Sequence, residues 1–491
     1  MKRKAFLPIN IITLLLLLMS FGGAFAQEPL SLERALDIAM ENSPQIRHSK
    51  LNLERSREML NAQKASLKSQ FSLTLTPFSY NHTRQFNDFF STWNTSETKS
   101  SFGTFTISQP ISWTDGELAL INQLSWRDSY SEYLDQQSKT FSNDLYLSFK
   151  QPIFTYNRTK LEMRELELDF EDSALSYAIQ RLYLEYLVTQ NFYNVYQKKS
   201  NLQVSIEDYH NRELSYNIIK NKVEAGLEAQ EELFQAELDL TTSKSEVQNT
   251  QTDLDNNMDS FKKLIGFSIF DDITVTADIS HVPIEIDLQK ALDTGLKYRM
   301  ELRQKEINIE NAKYNLIRAS ATNEFRGDIN LSYGIIGTNE EFEQLYDAPT
   351  KSQQFAINFN LPLVDWGRKK SIMKAYQAIV DDNELSLDDQ KKDIIIEIRK
   401  AYRNLKNLVN QIEIANQNVR NAQLTYDINL ERYRNGDITS MDLNLFQNQL
   451  SRSKTSRVSA LINYKLELLN MKILSLYNFE KNERVVPDTL N

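Results

Sequence analysis

The chain has no cysteine. Disulfides, thiolate metal sites and an acylated N-terminal cysteine are excluded together, so packing and assembly must hold the fold. Glycine and proline are scarce as well, 12 and 10 in 491 residues, so the elements between them must be long. Beyond the first 26 residues no apolar run approaches bilayer length, and any passage through a membrane must be made by strands. Cations are outnumbered, 56 against 66, for a net charge of −10. Losing Lys2, Arg3 and Lys4 would take that to about −13. The balance excludes nucleic acid as a partner, because polyanions are held by basic patches. Four histidines, His48, His82, His210 and His281, are scattered without ligand spacing. The acidic pairs Asp381-Asp382 and Asp388-Asp389 sit on polar helix surfaces, where solvation explains them. Neither a glycine-rich phosphate loop nor a nucleophile elbow is present, so no enzyme, metal or cofactor is expected.

What is there begins with a leader. Lys2-Arg3-Lys4, the apolar run from Ile11 to Met19 and the small-residue site Ala24-Phe25-Ala26 read as a secretory signal over 1–26, cleaved after Ala26. The remainder is written twice. Pro152 and Pro362 are 210 residues apart, and so are Gly226 and Gly436. Such self-similarity marks a duplicated folding unit. Leu32-Glu33-Arg34-Ala35-Leu36-Asp37 matches Leu288-Gln289-Lys290-Ala291-Leu292-Asp293 at an offset of 256, which leaves 46 extra residues between Tyr80 and Asp144. The first repeat is placed at 27–285, the second at 286–479 and a tail at 480–491.

Each repeat reads as long helices that turn at a glycine. Ile394, Ile398, Ala401, Leu405, Leu408, Ile412, Ala415, Val419, Ala422, Tyr426, Asn429 and Tyr433 follow the alternating four-three spacing of a coiled-coil seam. Leu161, Leu168, Leu175, Ile179, Leu182, Tyr186, Tyr193 and Tyr196 run on a similar register in the first half. The helix from Arg368 to Arg434 would be ~100 Å long and the returning one, from Ile438 to Leu476, only ~58 Å. A helix from Arg299 to Phe325 would stack on the shorter one; Pro44 to Ser69 would do so for Ala229 to Leu264. Gly226 and Gly436 are expected at helix C-termini.

Strands alternate apolar and polar residues near 71–80, 144–151, 328–336 and 354–361. That period suits a lipid-facing barrel with a wet lumen, and equally a soluble sheet with one buried face. In the extra segment a polar loop (81–101) precedes a hairpin over 102–126 turned at Thr114-Asp115-Gly116. The hairpin would join the barrel wall or lie outside it. Ile273-Thr274-Val275-Thr276 reads as a short strand in a belt linking the repeats.

The doubled Leu-x-x-Ala-Leu helix start, the passages Gln151-Pro152-Ile153-Phe154 and Leu361-Pro362-Leu363-Val364-Asp365-Trp366-Gly367-Arg368, and the Tyr433 to Gly436 tip resemble the TolC-like outer-membrane efflux proteins. The resemblance runs from Leu30 to about Tyr477. It implies an α+β membrane protein: duplicated coiled-coil helical hairpins and amphipathic β-strands that form, as a homotrimer, an outer-membrane β-barrel continued by a periplasmic α-helical barrel. Physics also favours assembly, since four to six strands cannot close a barrel in lipid and three copies can. The expected partners are outer-membrane lipid, a periplasmic adaptor and an inner-membrane pump of RND or ABC type, and the expected function is a passive efflux or secretion conduit. A periplasmic coiled-coil adaptor is the alternative, although adaptors normally have one hairpin and no doubled strands.

The resemblance also implies a gate at the periplasmic entrance. Glu232 and Asp442, each six residues beyond a tip glycine, match the family's acidic ring, and Tyr433 matches its gate tyrosine. The gate arginine is Ile438 here and a further acidic position is Leu445, leaving Arg434 as the candidate substitute. A plainer reading of both acids is stabilisation of a helix N-terminus. Ala225, Gly226 and Leu227, with Asn435, Gly436 and Asp437, are the expected adaptor-docking tips.

Overall fold

The computed structural model describes residues 29–485 except Tyr133, Asp278 and His281; the expected leader and residues 486–491 of the expected tail lie outside the described residues. The elements are α1 (Leu32–Asn42), α2 (Pro44–Ser66), β1 (Gln70–Asn87), β2 (Thr92–Ile111), β3 (Gly116–Ser131), β4 (Gln136–Ile153), α3 (Arg158–Glu224), α4 (Gln230–Ile265), α5 (Leu288–Tyr298), α6 (Met300–Ser320), β5 (Arg326–Asn339), β6 (Thr350–Asn360), α7 (Arg368–Asn435), α8 (Ser440–Ser475), β7 (Tyr477–Asn478) and β8 (Glu483–Arg484). Repetition is visible in the lengths: α4 and α8 have 36 residues each, α3 and α7 have 67 and 68. Two compact units divide the chain, a sheet unit of residues 49–179 and 293–396 and a helical unit of 29–48, 180–292 and 397–485.

In the sheet unit six antiparallel strands follow chain order, β1-β2-β3-β4-β5-β6. The 46-residue excess therefore lies inside the sheet, as β2 and β3 between β1 and β4. Register makes two chemically distinct faces. Phe71, Ile107, Leu120, Leu147 and Tyr333 stand side by side in one cross-strand row, while Ser108, Ala119, Ser148, Ser332 and Gln354 form a row on the other face. Phe71, Leu120, Leu147 and Tyr333 are exposed, so no other described part of the unit covers these positions of the apolar face.

Residues 81–101, expected to be a loop, are mostly strand. β1 runs on to Asn87 and pairs with β2 down to Asn87↔Thr92, leaving only a short turn. Polar cross-strand contacts hold this stretch where apolar alternation gives out: His82 lies 3.4 Å from Glu97, and the Arg84 guanidinium lies 5.0 Å above the Trp93 ring, itself edge-on to Phe86. The expected strand 273–276 reduces to a single bridge between Leu30 and Val275. Helices α3 and α6 are joined in the same unit by Arg303, which donates to both oxygens of Glu171 at 2.6 and 3.0 Å and to Glu310. These hydrogen bonds hold the Glu171 carboxyl below its ordinary range.

In the helical unit, hydrogen bonds link α4 to α3 (Asn257 with Asn194), α3 to α8 (Gln197 with Ser459) and α8 to α7 (Arg457 with Asn416). Ten of the twelve seam positions of α7 are buried, Leu408 and Val419 being half-buried. The first-half seam differs. Ile179, Leu182, Tyr186 and Tyr196 are only half-buried, and Leu184, Val188, Phe192 and Val195 are buried instead. α3 packs against both α4 and α8, so its apolar residues cannot follow one stripe.

The paired hairpin tips as candidate functional site

Both hairpins close by the same local rule. Gly226 and Gly436 sit at φ +74° and +87°, where a Cβ is penalised. Gly226 N–H donates to the Val223 carbonyl and Leu227 N–H to that of Lys222; Gly436 and Asp437 do the same with Tyr433 and Arg432. This satisfies the last carbonyls of α3 and α7 and reverses the chain. Ala225, Gly226, Leu227, Asn435, Gly436 and Asp437 are all exposed.

Behind the tips the two hairpins share one core. Tyr433 is 1% exposed and packs in a cluster with Ile219, Leu443 and Tyr426, against which Ile438 and Leu233 also lie. Its hydroxyl donates to the Ser215 carbonyl at 3.4 Å. Burial pushes the phenol up to about 12, against a hydrogen bond to Ser440 that lowers it, with Glu232, Glu228 and Asp239 raising it further. Tyr426 is likewise raised to about 12, by burial first and by Asp208 second.

The charges of this site cross from hairpin to hairpin. Lys222, in the last turn of α3, donates to the Tyr433 carbonyl at 2.9 Å, sits 5.5 Å from the Tyr433 ring centre and is 3.6 Å from Glu228. Glu232 Oε2 accepts the backbone N–H of Ser440, the first residue of α8, at 3.1 Å. Asp442 completes a capping box with Thr439 on its own helix, accepting from the Thr439 N–H and hydroxyl while its N–H donates back to Thr439 Oγ1. Both acids thus bind helix-start groups, one within its hairpin and one across. Arg434 does not join them; it pairs with Glu431 at 2.7 Å on the exposed side.

A deeper layer braces the same helices. Arg212 donates to Asp208 at 2.7 Å and to Asn448 on α8 at 2.9 Å, and lies 3.9 Å from Asp239 on α4. Gln447, also on α8, donates to the Asp208 carbonyl at 3.0 Å.

Tyr433, Glu232 and Asp442 therefore meet within one unit, while Lys222, Ser440 and Arg212 were not singled out from the sequence. Lys222 had a signal: it stands 210 residues before Arg432, a cation in the matching helix turn. The arrangement supplies cross-hairpin hydrogen bonds and charge pairing, and among the described residues no three His, Asp or Glu side chains form a metal site. No described helix is long and apolar enough to cross a membrane.

Comparison places this architecture. Residues 290–471 match the outer membrane efflux protein family, so the resemblance stands at sequence level in the second repeat, and the fold of the whole is that of outer-membrane efflux channels. The chain is similar to the CmeC outer membrane channel of Campylobacter jejuni, with a TM-score of 0.70 and 16% identity over 94% of this chain and 87% of that one. It is similar to VceC of Vibrio cholerae, with a TM-score of 0.66 and 14% identity over 90% and 96% of the two chains. The open state of the Neisseria gonorrhoeae MtrE channel gives a TM-score of 0.64 and 15% identity over 90% and 88%. No curated protein matches the chain in sequence.

Proposed function

We propose that this protein is the outer-membrane channel component of a multi-protein efflux or secretion system, a passive trimeric conduit with a gated periplasmic end. One observation carries the reading: the six-stranded sheet exposes an apolar face along rows such as Phe71, Leu120 and Leu147, and leaves β1 and β6 unpaired at its edges. Open edges in lipid leave backbone groups unsatisfied. Pairing β6 of one copy with β1 of the next removes them, and three copies of six strands make an eighteen-stranded barrel, a size that leaves an aqueous channel. The helical unit supports the same assembly. Phe234 and Leu238 on α4, and Ile414, Leu424 and Ile428 on α7, are exposed apolar residues that neighbouring copies would cover.

In this reading the Tyr433, Lys222 and Glu232 contacts hold the entrance shut. Glu232 and Asp442, three of each, give it a cation-favouring ring. A periplasmic adaptor docks on the Gly226 and Gly436 tips, and an inner-membrane pump supplies the energy. The test is fractionation with electrophoresis before and after heating. A heat-sensitive trimer in the outer membrane supports the conduit, whereas a folded periplasmic monomer overturns it.

A further inference from the structure

The start of α7 presents a surface that no other described part of the chain covers. β6 alternates Phe355, Ile357 and Phe359 on the apolar face, and the pattern continues past the strand in Leu361 and Leu363. Leu363, Val364 and Trp366 are all exposed, Trp366 at 96%. Arg368, Lys369, Lys370 and Lys374 follow, and the next acid is Asp381. Among the described residues none of these four side chains has an acidic partner. Lys369, Lys370 and Lys374 line a groove with Leu316 and Met373. Asp365 is already committed, accepting the N–H groups of Gly367 and Lys369 at 2.9 and 3.0 Å, so the helix end itself is capped.

The other repeat shows the same place filled. At the 210-residue offset Arg368, Lys369 and Lys370 correspond to Arg158, Thr159 and Lys160, and Lys374 to Arg164. There the β2–β3 turn folds onto the helix: Asp115 accepts from the Thr159 N–H and hydroxyl at 3.0 and 2.6 Å, and Asn157 donates to the Ser112 carbonyl at 2.8 Å. Arg164 pairs with Glu167 at 3.1 Å. The second repeat has no such hairpin. Its surface stays open, and a lysine stands where the first repeat has a capped threonine.

We propose that this surface binds the headgroup of an anionic phospholipid in the periplasmic leaflet of the membrane, resting on the reading that the apolar sheet face lies in lipid. Trp366, Leu363 and Val364 would sit at the acyl boundary, and Lys369, Lys370 and Lys374 would surround the phosphate. Charge complementarity favours this occupant, since these unpaired cations are concentrated in a chain whose net charge is −10. A second copy is disfavoured, because the residues leading into its β1 include Lys64 and Lys68, of like charge.

Bromine on a lipid acyl chain quenches nearby tryptophan. With Trp93, Trp113 and Trp126 replaced by Phe, Trp366 is the sole tryptophan of the full-length chain. The protein is reconstituted into phosphatidylethanolamine vesicles doped with brominated phosphatidylglycerol or, at equal bromine, brominated phosphatidylethanolamine. The proposal expects about two-fold stronger quenching by the glycerol lipid, and loss of that preference in the K369Q/K370Q/K374Q variant. Equal quenching by both lipids overturns it. A Leu120→Trp reporter in a chain lacking all four native tryptophans separates the causes. If that reporter is quenched and Trp366 is shielded from both lipids, a second copy covers the site; if neither is quenched, the sheet is not in lipid and the conduit reading falls with the lipid site.

Discussion

Glu232 reaches out of its own hairpin to accept the N–H of Ser440, so the start of α8 is capped by a carboxylate from the other repeat. A side-chain cap contributes about 1 kcal/mol, and here it also ties hairpin to hairpin. Glu232→Ala should raise the frequency of open events in planar-bilayer recordings of the trimer, with Glu232→Gln intermediate because the amide oxygen still accepts. An unchanged closed state in both variants would take Glu232 out of the gate.

Charge at the mouth is a separate question, because both acids already accept backbone N–H groups at the start of α8. The double variant Glu232→Gln, Asp442→Asn keeps an acceptor at each position while removing the negative charge. Cation preference in reversal-potential measurements should fall. If it does not, both residues are helix-start groups and nothing more.

Tyr433 and Tyr426 give the tips an alkaline limit. Each phenol is raised to about 12 from its ordinary value near 10. A folded-state pKa above the unfolded one means the buried neutral form stabilises fully below pH ~10, and that contribution is lost as pH climbs toward ~12. Tyrosinate absorbance should go on rising well above pH ~10, with channel opening over the same window. Tyr433→Phe should remove one phenol from the late titration and move opening to higher pH; an unchanged late amplitude in that variant would reassign the titration.

The tip glycines test docking apart from assembly. At Gly226 a side chain meets nothing within 4 Å, yet φ +74° carries a penalty of about 1–2 kcal/mol for any L-residue. Replacing Gly226 and Gly436 together with Leu should therefore leave a heat-sensitive trimer in the outer membrane while export stops. Normal export would count against the tips as docking surface.

How far the sequence could be read depended on what each element packs against. The α7 seam was visible because that helix buries one continuous stripe from Ile394 to Tyr433. On α3 the pattern blurred, since packing on two sides spreads burial from Leu168 through Phe192 over several faces. The outer ends of β1 and β2 were illegible for a different reason: His82, Arg84 and Glu97 hold the ladder through polar partners that only register brings together. At the tips, Glu232, Asp442 and Tyr433 came from the resemblance to the efflux-protein family, counted from the two glycines. Lys222 and Ser440 owe their contacts to the meeting of two hairpins, which no local pattern encodes.

The inserted hairpin sets the width of the sheet, and that too is open to measurement. In the second repeat β5 passes to β6 through residues 340–349, which include a short 3-10 helix (Phe342–Gln344), so a ten-residue connection between an up strand and a down strand suffices for this fold. Joining β1 to β4 by the same ten-residue connection, with β2 and β3 removed, leaves four strands per copy and twelve in a trimer, still enough to close. Barrel diameter grows roughly linearly with strand number. The shortened protein should therefore insert as a trimer with a smaller fully open conductance than the parent, once the tips are loosened by Glu232→Ala so that the strand barrel and not the entrance limits flow. Deletion also removes Asp115, the cap on Thr159 at the start of α3. With that bond gone, a small drop in melting temperature should accompany the narrower pore. Conductance equal to the parent would mean that β2 and β3 do not line the wall.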